Sequence, residues 1–305
     1  MDGLLLIDKP RGMTSHDVVA RVRRILRTRR VGHAGTLDPL ATGVLLVAVG
    51  QGTRLVEFLM EGNKTYRATL KLGELTDTLD ADGEIIERRP VPPLSEGQVE
   101  AACRSFLGEI SQVPPMYSAI KKGGVPLYRL ARQGVEVERA ARTVRIERIA
   151  LRALNLPFID LEVDCSKGTY IRSLAQDLGA TLGPGAHLTA LCRTRSGSFS
   201  LDECLALENL QDTARPGDSP GFLPMVDVLR DFARIEVGDA GCARLAQGIP
   251  PLEEQVDGFS AEAGQAVVLA RAGRLLAVAR YAPHRAMEKR GDFELLRVFP
   301  EAAAA

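Results

Sequence analysis

The sequence predicts an α+β fold in two domains, and three observations predict it. Apolar and polar residues alternate over Thr65–Leu72 and over Phe158–Cys165, the period of a strand with one buried face. Apolar residues recur at helical spacing in three places: Val18, Val19, Val22, Ile25 and Leu26; Val99, Ala102, Cys103 and Phe106; Ile171, Leu174, Ala175 and Leu178. A stretch with three prolines and two glycines, Gln211–Pro224, then leads into short strand-like runs, so the expected domains are residues 1–228 and 229–305.

Composition narrows the classes. At 45% hydrophobic and 26% charged, a chain of 305 residues can bury a sizeable core and fits a soluble protein. No apolar run approaches the roughly 20 residues of a membrane span. The start, Met1-Asp2-Gly3-Leu4, lacks the basic region and cleavage site of a signal peptide, so a cytoplasmic location is expected. Five widely spaced cysteines, with no CxxC and no His beside a Cys pair, read as reduced thiols and not as disulfides or a zinc site. The 39 basic and 39 acidic residues balance, which argues against a nonspecific polyanion binder. They are unevenly placed, however. Residues 1–30 hold eight Lys/Arg against three Asp/Glu, residues 115–152 nine against three, and residues 74–87 six Asp/Glu and no cation.

The elements follow in order. Gly3–Asp8 reads as a buried strand and Lys9-Pro10-Arg11-Gly12 as a turn. Thr14 or Ser15 caps the first helix, with Asp17 at its positive end. Its outer face carries Arg21, Arg23, Arg24, Arg27, Arg29 and Arg30, which suits phosphate contact. Val44–Val49 is an apolar strand, and Tyr66 shares a face with Ala68, Leu70 and Leu72 in the next. Residues 76–83 superficially resemble a calcium loop but put Thr78 and Arg89 at its first and twelfth positions, so a turn-rich loop is expected instead. Ser95 caps a helix expected to run through Leu107. Residues 115–141 are basic, glycine-containing and weakly periodic, and interleave Lys121, Lys122, Arg129 and Arg132 with Tyr117 and Tyr128. Charge among aromatics suits phosphate contact and base stacking. Strands are expected near Thr143–Leu154, Phe158–Cys165 and His187–Arg193, another beginning at Ser198-Phe199, and a helix over Tyr170–Leu182 ended by Gly183-Pro184-Gly185. Strand-like runs at Ala266–Ala270 and Leu275–Ala279 and a frayed alanine tail at 302–305 complete the chain.

The stretch His33-Ala34-Gly35-Thr36-Leu37-Asp38-Pro39-Leu40-Ala41-Thr42-Gly43 holds the candidate chemistry. Its glycines and proline specify a tight irregular backbone, and one carboxylate, Asp38, lies among small and apolar neighbours. From the residues alone, Asp38 is either a reactive carboxylate or a turn residue capping its own backbone. Arg172 falls in the first turn of its helix, an electrostatically poor place for a cation. That misfit calls for a nearby anion, and Asp38 is the candidate.

GTLDPLATG resembles the catalytic motif of the TruB-type tRNA pseudouridine synthases, the pseudouridine-55 synthases. Other parts resemble the family in order: Gly3-Leu4-Leu5-Leu6-Ile7-Asp8-Lys9-Pro10-Arg11-Gly12-Met13-Thr14-Ser15, Lys64-Thr65-Tyr66, Thr76-Asp77-Thr78-Leu79-Asp80-Ala81-Asp82-Gly83, and Gly168-Thr169-Tyr170-Ile171-Arg172-Ser173-Leu174. The match runs in register from residue 3 to about residue 210. It implies a mixed, largely antiparallel sheet flanked by helices, with the site in a central cleft. Residues 115–141 look like the family's insertion that closes over RNA, and the C-terminal segment, with Leu245-Ala246-Gln247-Gly248-Ile249-Pro250, more loosely resembles a small PUA-like β-barrel that binds RNA.

The resemblance also implies the activity: uridine at position 55 in the T loop of tRNA becomes pseudouridine. The N1–C1′ bond breaks, the base turns over and rejoins through C5. Nothing is oxidised or hydrolysed overall, so no cofactor and no metal is expected. Asp38 would be the catalytic carboxylate, acting at C1′, at C6 of the base, or by deprotonating the sugar. The base must leave its stack. His33 would fill the vacated space and contact the RNA. Tyr66 would stack on the extruded uridine and take the C5 proton, and Tyr170 and Leu191 would line the pocket. Arg172 would pair with Asp38, its planar guanidinium gripping the carboxylate with two prongs, and hold it ionised; Lys9 would support the site wall. The partner is the tRNA T-arm, and the family suggests a monomer. Two other functions use parts of the pattern. A noncatalytic tRNA-binding or tRNA-folding module would keep the basic faces but has no need of Asp38, Tyr66 and Arg172 together. A glycoside-hydrolase-like enzyme would pair Asp38 with Asp77 or Asp80, and an Arg partner for Asp38 is the more economical arrangement.

Overall fold

The structure is a computed structural model that describes residues 1–211, 221–257, 260–283 and 291–299. Most of the expected linker, residues 212–220, and the alanine tail lie outside the described residues.

The chain opens with β1 (Gly3–Lys9) and α1 (Ser15–Ile25). Thr14 is the cap: its hydroxyl accepts from the Asp17 amide, and the Asp17 carboxylate accepts from the Thr14 amide in return. Then come β2 (Val31–Ala34) and β3 (Thr42–Val49), α2 (Val56–Met60) and β4 (Lys64–Leu72). The sequence reading had no strand at β2, because four residues are too few to show a period. It also read 76–83 as a loop only. The structure flanks it with a hairpin of β5 (Glu74–Thr76) and β6 (Ile85–Arg88). Helix α3 (Glu96–Arg104) has the expected Ser95 cap but stops short of Leu107. There Ser105 donates its hydroxyl to the Ala102 carbonyl at 2.7 Å, and Gly108 turns with φ +87° into β7 (Gly108–Gln112).

The basic insertion contains a small hairpin, β8 (Lys121–Lys122) and β9 (Val125–Pro126), followed by α4 (Leu127–Ala131). After it come β10 (Arg142–Asn155), β11 (Phe158–Cys165), α5 (Ile171–Leu182), β12 (Ala186–Ser196), β13 (Phe199–Ser200), β14 (Leu205–Ala206) and β15 (Phe222–Pro224). The C-terminal part holds β16 (Ala233–Val237), α6 (Asp239–Ala246), β17 (Val256–Asp257), β18 (Ala266–Arg271), β19 (Arg274–Tyr281) and β20 (Phe293–Val298).

One large mixed sheet runs β14-β1-β3-β12-β4-β11-β10-β7, with β2 on β3, β13 on β12 and β15 on β1. Among the described residues, only β1–β14 and β12–β3 pair in parallel within it. Strands β1 and β3 are apolar on both faces because both are covered. Leu5, Ile7, Leu45 and Val47 join a core with Val18, Val22, Leu174 and Leu178 of α1 and α5. Leu4, Leu6, Val44 and Leu46 face the other way and meet Val226, Leu229, Val268, Leu275 and Phe299. A second, five-stranded sheet, β17-β16-β18-β19-β20, therefore buries one face on the back of the first. Its other face forms a third core with Leu245 of α6. Strand β12 matters most for the site. It bridges β3 to β4, and so brings the loop before β3 beside the start of β4.

Candidate active site

The loop from Gly35 to Ala41 is held from both sides. Ser15, at the start of α1, donates its hydroxyl to the Leu37 carbonyl at 3.1 Å and accepts from the Leu37 amide at 2.8 Å. The Gly12 amide donates to the Pro39 carbonyl at 2.8 Å. Lys9 is fully buried, and its ammonium donates to the carbonyls of Pro10 at 2.8 Å, Met13 at 2.6 Å and Pro39 at 3.5 Å. Burial pulls its pKa down to about 8, and Asp38 is the strongest of the charges that pull it back. Gly43 has φ +96°, and a Cβ there would lie 2.2 Å from the Arg193 carbonyl, so only glycine lets β3 approach β12 at this point.

Asp38 projects from this loop, one-third exposed, at the wall of a cavity of about 260 Å³. Tyr66, Tyr170, Arg172 and Leu191 line the same cavity, together with Lys64 and Arg193. Arg172 is buried, and its Nε lies 2.9 Å from an Asp38 carboxylate oxygen and 3.5 Å from one of Asp80. The Nε–H is not aligned for a hydrogen bond to either, so the attraction is ionic. The expected two-pronged grip of the guanidinium on Asp38 is not what the structure has. Nη1 donates to the Thr78 carbonyl at 3.0 Å and Nη2 to the Tyr117 carbonyl at 2.7 Å. The fork is spent on backbone, and Asp38 receives no hydrogen bond from the guanidinium.

Three elements converge on Arg172. Helix α5 carries it, the 76–83 loop supplies Thr78 and Asp80, and the segment entering the insertion supplies Tyr117. Asp80 is buried and accepts from the Thr78 hydroxyl at 2.7 Å and the Asp82 amide at 3.2 Å. Burial outweighs these bonds and the Arg172 charge, and pushes its pKa up. The start of α5 has no hydroxyl or carboxylate cap. Instead the buried Gln112 amide pairs with the Tyr170 backbone, accepting from N at 2.8 Å and donating to O at 3.0 Å.

Tyr66 is buried, and burial raises its pKa, as it does that of Tyr170. His33 does not line the cavity. It sits on β2, edge-on to His16 with ring centroids 5.3 Å apart, and its Nδ1 is buried without a partner. Burial lowers its pKa to about 4, so the ring is neutral near pH 7. The structure thus brings Asp38, Tyr66, Tyr170, Arg172 and Leu191 together, places Lys9 under the loop, and leaves His33 outside.

The sequence assigns no part to Lys64, Gln112 and Arg193 of this constellation, and gives Asp80 one only in the glycoside-hydrolase-like alternative. Two had a usable signal. Lys64 shares a strand face with Tyr66, and Arg193 with Leu191, by the period of two. Asp80 stood in a recognised motif, but acidic loops are usually solvated. Nothing local marks Gln112. Among the described residues, no group of three or more His, Cys, Asp or Glu could hold a metal ion.

Comparison with known proteins follows the same lines. A model described as TruB family pseudouridylate synthase (N terminal domain) matches residues 23–171, and one described as tRNA pseudouridylate synthase B C-terminal domain matches residues 172–254. A relative named tRNA pseudouridine synthase B from Syntrophotalea carbinolica is 50% identical, covering 100% of this chain and 100% of its own. The chain belongs to the TruB family of pseudouridylate synthases. Another TruB relative, from Geobacter sulfurreducens and of the same name, is 45% identical over 98% of this chain and 100% of its own. Among solved structures, a chain from a crystal structure of a Cbf5-Nop10-Gar1 complex superimposes with a TM-score of 0.75 at 27% identity, covering 99% of this chain and 86% of that one. A chain from a structure of an H/ACA RNP bound to a substrate RNA containing 2′-deoxyuridine gives 0.74 at 25% identity, covering 97% and 84%. The TruB fold is therefore the fold of this chain, a mixed sheet flanked by helices with a C-terminal sheet domain.

Proposed function

We propose that this protein isomerises uridine to pseudouridine in tRNA, at position 55 of the T loop. The observation that carries the reading is the meeting of Asp38 with buried Arg172 at 2.9 Å on the wall of a cavity lined by Tyr66, Tyr170 and Leu191. A carboxylate beside flat and apolar walls suits a flipped pyrimidine nucleotide whose glycosidic bond must be broken. The Thr78 and Tyr117 carbonyls hold the Arg172 guanidinium in place beside Asp38. Tyr66 stacks on the base and takes the C5 proton. Tyr170 and Leu191 complete the pocket. Lys9 acts beneath the loop, tying the Pro10 and Met13 carbonyls of the turn after β1 to the Pro39 carbonyl beside Asp38. His33, neutral and on β2 outside the cavity, contacts the RNA where the base has left.

The partner is the T-arm of tRNA, met by the basic insertion near 115–141 and by a PUA-like C-terminal domain at 229–305; residues 1–228 carry the chemistry. Lys121, Lys122, Arg129 and Arg132 are exposed on the insertion, which suits phosphate contact. No described helix is long and apolar enough to cross a membrane. The reading has the enzyme acting as a monomer in the cytoplasm.

The test is to incubate the purified protein with unmodified tRNA transcripts and map pseudouridine. Modification at position 55, lost in Asp38→Asn, supports the reading. Modification elsewhere would keep the activity and refute the position. A protein that binds tRNA and forms no pseudouridine would be an RNA-binding module.

A further inference from the structure

Arg193 is among the most deeply buried charged residues of the chain, at 1% exposure, and it has no carboxylate partner in the described structure. It lies on β12 directly opposite Tyr66 of β4 in the antiparallel register. Side chains so paired stand about 4.5–5.5 Å apart at Cβ, on the same face. Here that face lines the cavity beside Asp38. The guanidinium is aimed by two backbone bonds: Nε donates to the Val44 carbonyl at 2.8 Å, and Nη2 donates to the Gly35 carbonyl at 3.1 Å. Its charge acts on the Tyr66 phenol, pulling the phenol's pKa down against the upward push of burial. Burying an unpaired cation is costly. Two carbonyl bonds could have been made by a neutral side chain, so the retained charge asks for an electrostatic reason.

We propose that Arg193 is a positioning residue that makes the buried Tyr66 phenol a competent proton acceptor. The proposal rests on the reading of Tyr66 given above. Once C1′ has been rejoined to C5, that carbon carries both the sugar and its hydrogen. The phenol first passes its own proton to N1, and the phenolate oxygen left behind takes the C5 proton. The C5–H electron pair restores the C5=C6 double bond as the N1=C6 pair moves onto N1. One proton leaves C5, one arrives at N1, and Tyr66 ends as it began. Negative charge grows on the phenol oxygen during the transfer, and the fixed guanidinium stabilises it in a water-poor site. Burial alone would oppose that charge. Of the charged groups beside Tyr66, Arg193 favours the phenolate most and Asp38 from the loop opposes it. Lys64 and Arg172 line the same cavity.

The chain has five tyrosines and no tryptophan, so the tyrosinate absorbance of Tyr66 is readable as the difference between a parent and its Tyr66→Phe derivative. The experiment compares the unmutated chain, Arg193→Lys and Arg193→Gln. It follows the Tyr66 titration and the single-turnover rate against pH on tRNA labelled with tritium at C5 of its uridines. Both substitutions are expected to move the titration upward, Gln further than Lys. Arg193→Gln is expected to slow tritium release at neutral pH by about tenfold or more, a barrier of ~1.4 kcal/mol. Replacing Tyr66 by a more acidic fluorotyrosine should then recover most of that loss, which a merely structural role for Arg193 would not allow. If Arg193→Gln does not fold, Arg193→Lys carries the same comparison with a smaller shift. An unchanged Tyr66 titration, or no recovery with fluorotyrosine, overturns the proposal while leaving Tyr66 as the base. Tyr66→Phe releasing tritium at the unmutated rate overturns both.

Discussion

Replacing Arg172 with lysine keeps a cation and removes a shape. The guanidinium reaches four acceptors at once: the carbonyls of Thr78 and Tyr117 through its two Nη atoms, and the carboxylates of Asp38 and Asp80 beside Nε. These acceptors belong to three separate loops. One ammonium cannot span them, so at least one of the two carbonyls is left without its donor. An unsatisfied buried acceptor costs about 1–3 kcal/mol, and each kcal/mol lowers the melting temperature by about 2–4 °C in a domain of this size. The charge beside Asp38 also loses its fixed direction. Loss of one preorganised electrostatic contact to a reacting centre costs about 10²–10³ in rate. Arg172→Lys is therefore expected to lower single-turnover pseudouridine formation by about that factor, to lower the melting temperature by several degrees, and to leave tRNA affinity within about threefold. The assay is quench-flow with enzyme in excess, alongside filter binding of the same tRNA. A Lys variant that turns over within about tenfold of the unmutated rate and melts with it would mean that charge alone suffices, and that the convergence on Arg172 has no catalytic consequence.

The remaining predictions are shorter. Asp38→Asn should fold and bind tRNA but form no pseudouridine in single turnover, since a neutral amide cannot stand in for the carboxylate; a residual rate above about a tenth would remove Asp38 from the chemistry. Lys9 has a native pKa of about 8 against about 10.4 in an unfolded chain, so between those values the unfolded state holds more protons and stability rises with pH. The stability of the unmutated chain relative to Lys9→Met should climb across that window by about 1 kcal/mol per pH unit, measured by urea unfolding at several pH values; a flat difference refutes the argument. Gln112→Leu removes both bonds to the Tyr170 backbone and should loosen the first turn of α5, slowing the bound-state reaction more than it weakens tRNA binding; the reverse pattern would make Gln112 an RNA contact. Titrating tRNA against salt should give a steep log–log fall in affinity despite zero net charge, and a flat plot would dispose of the basic surfaces at 1–30 and 115–152.

The sequence by itself determined most of the longer elements and the centre of the site, Asp38 with Tyr66, Tyr170, Arg172 and Leu191. Period-two runs placed β4 and β11, and helical stripes placed α1, α3 and α5, because burial of one face leaves a local signature. The misfit of Arg172 at a helix N-terminus called for an anion, and the glycines and proline around Asp38 marked the loop that supplies it. What it did not determine is what the charged groups spend their hydrogen bonds on. Arg172 was expected to grip Asp38 with its fork, and the fork went to Thr78 and Tyr117, residues 94 and 55 positions away. Lys64, Asp80, Gln112 and Arg193 gained their places only when β12 was laid between β3 and β4, and when the insertion's entry was docked on α5. The physical reason is that amphipathic periodicity is written in neighbours along the chain, whereas the environment of a buried charge is set by groups far apart in sequence. Only folding brings those groups within hydrogen-bond reach.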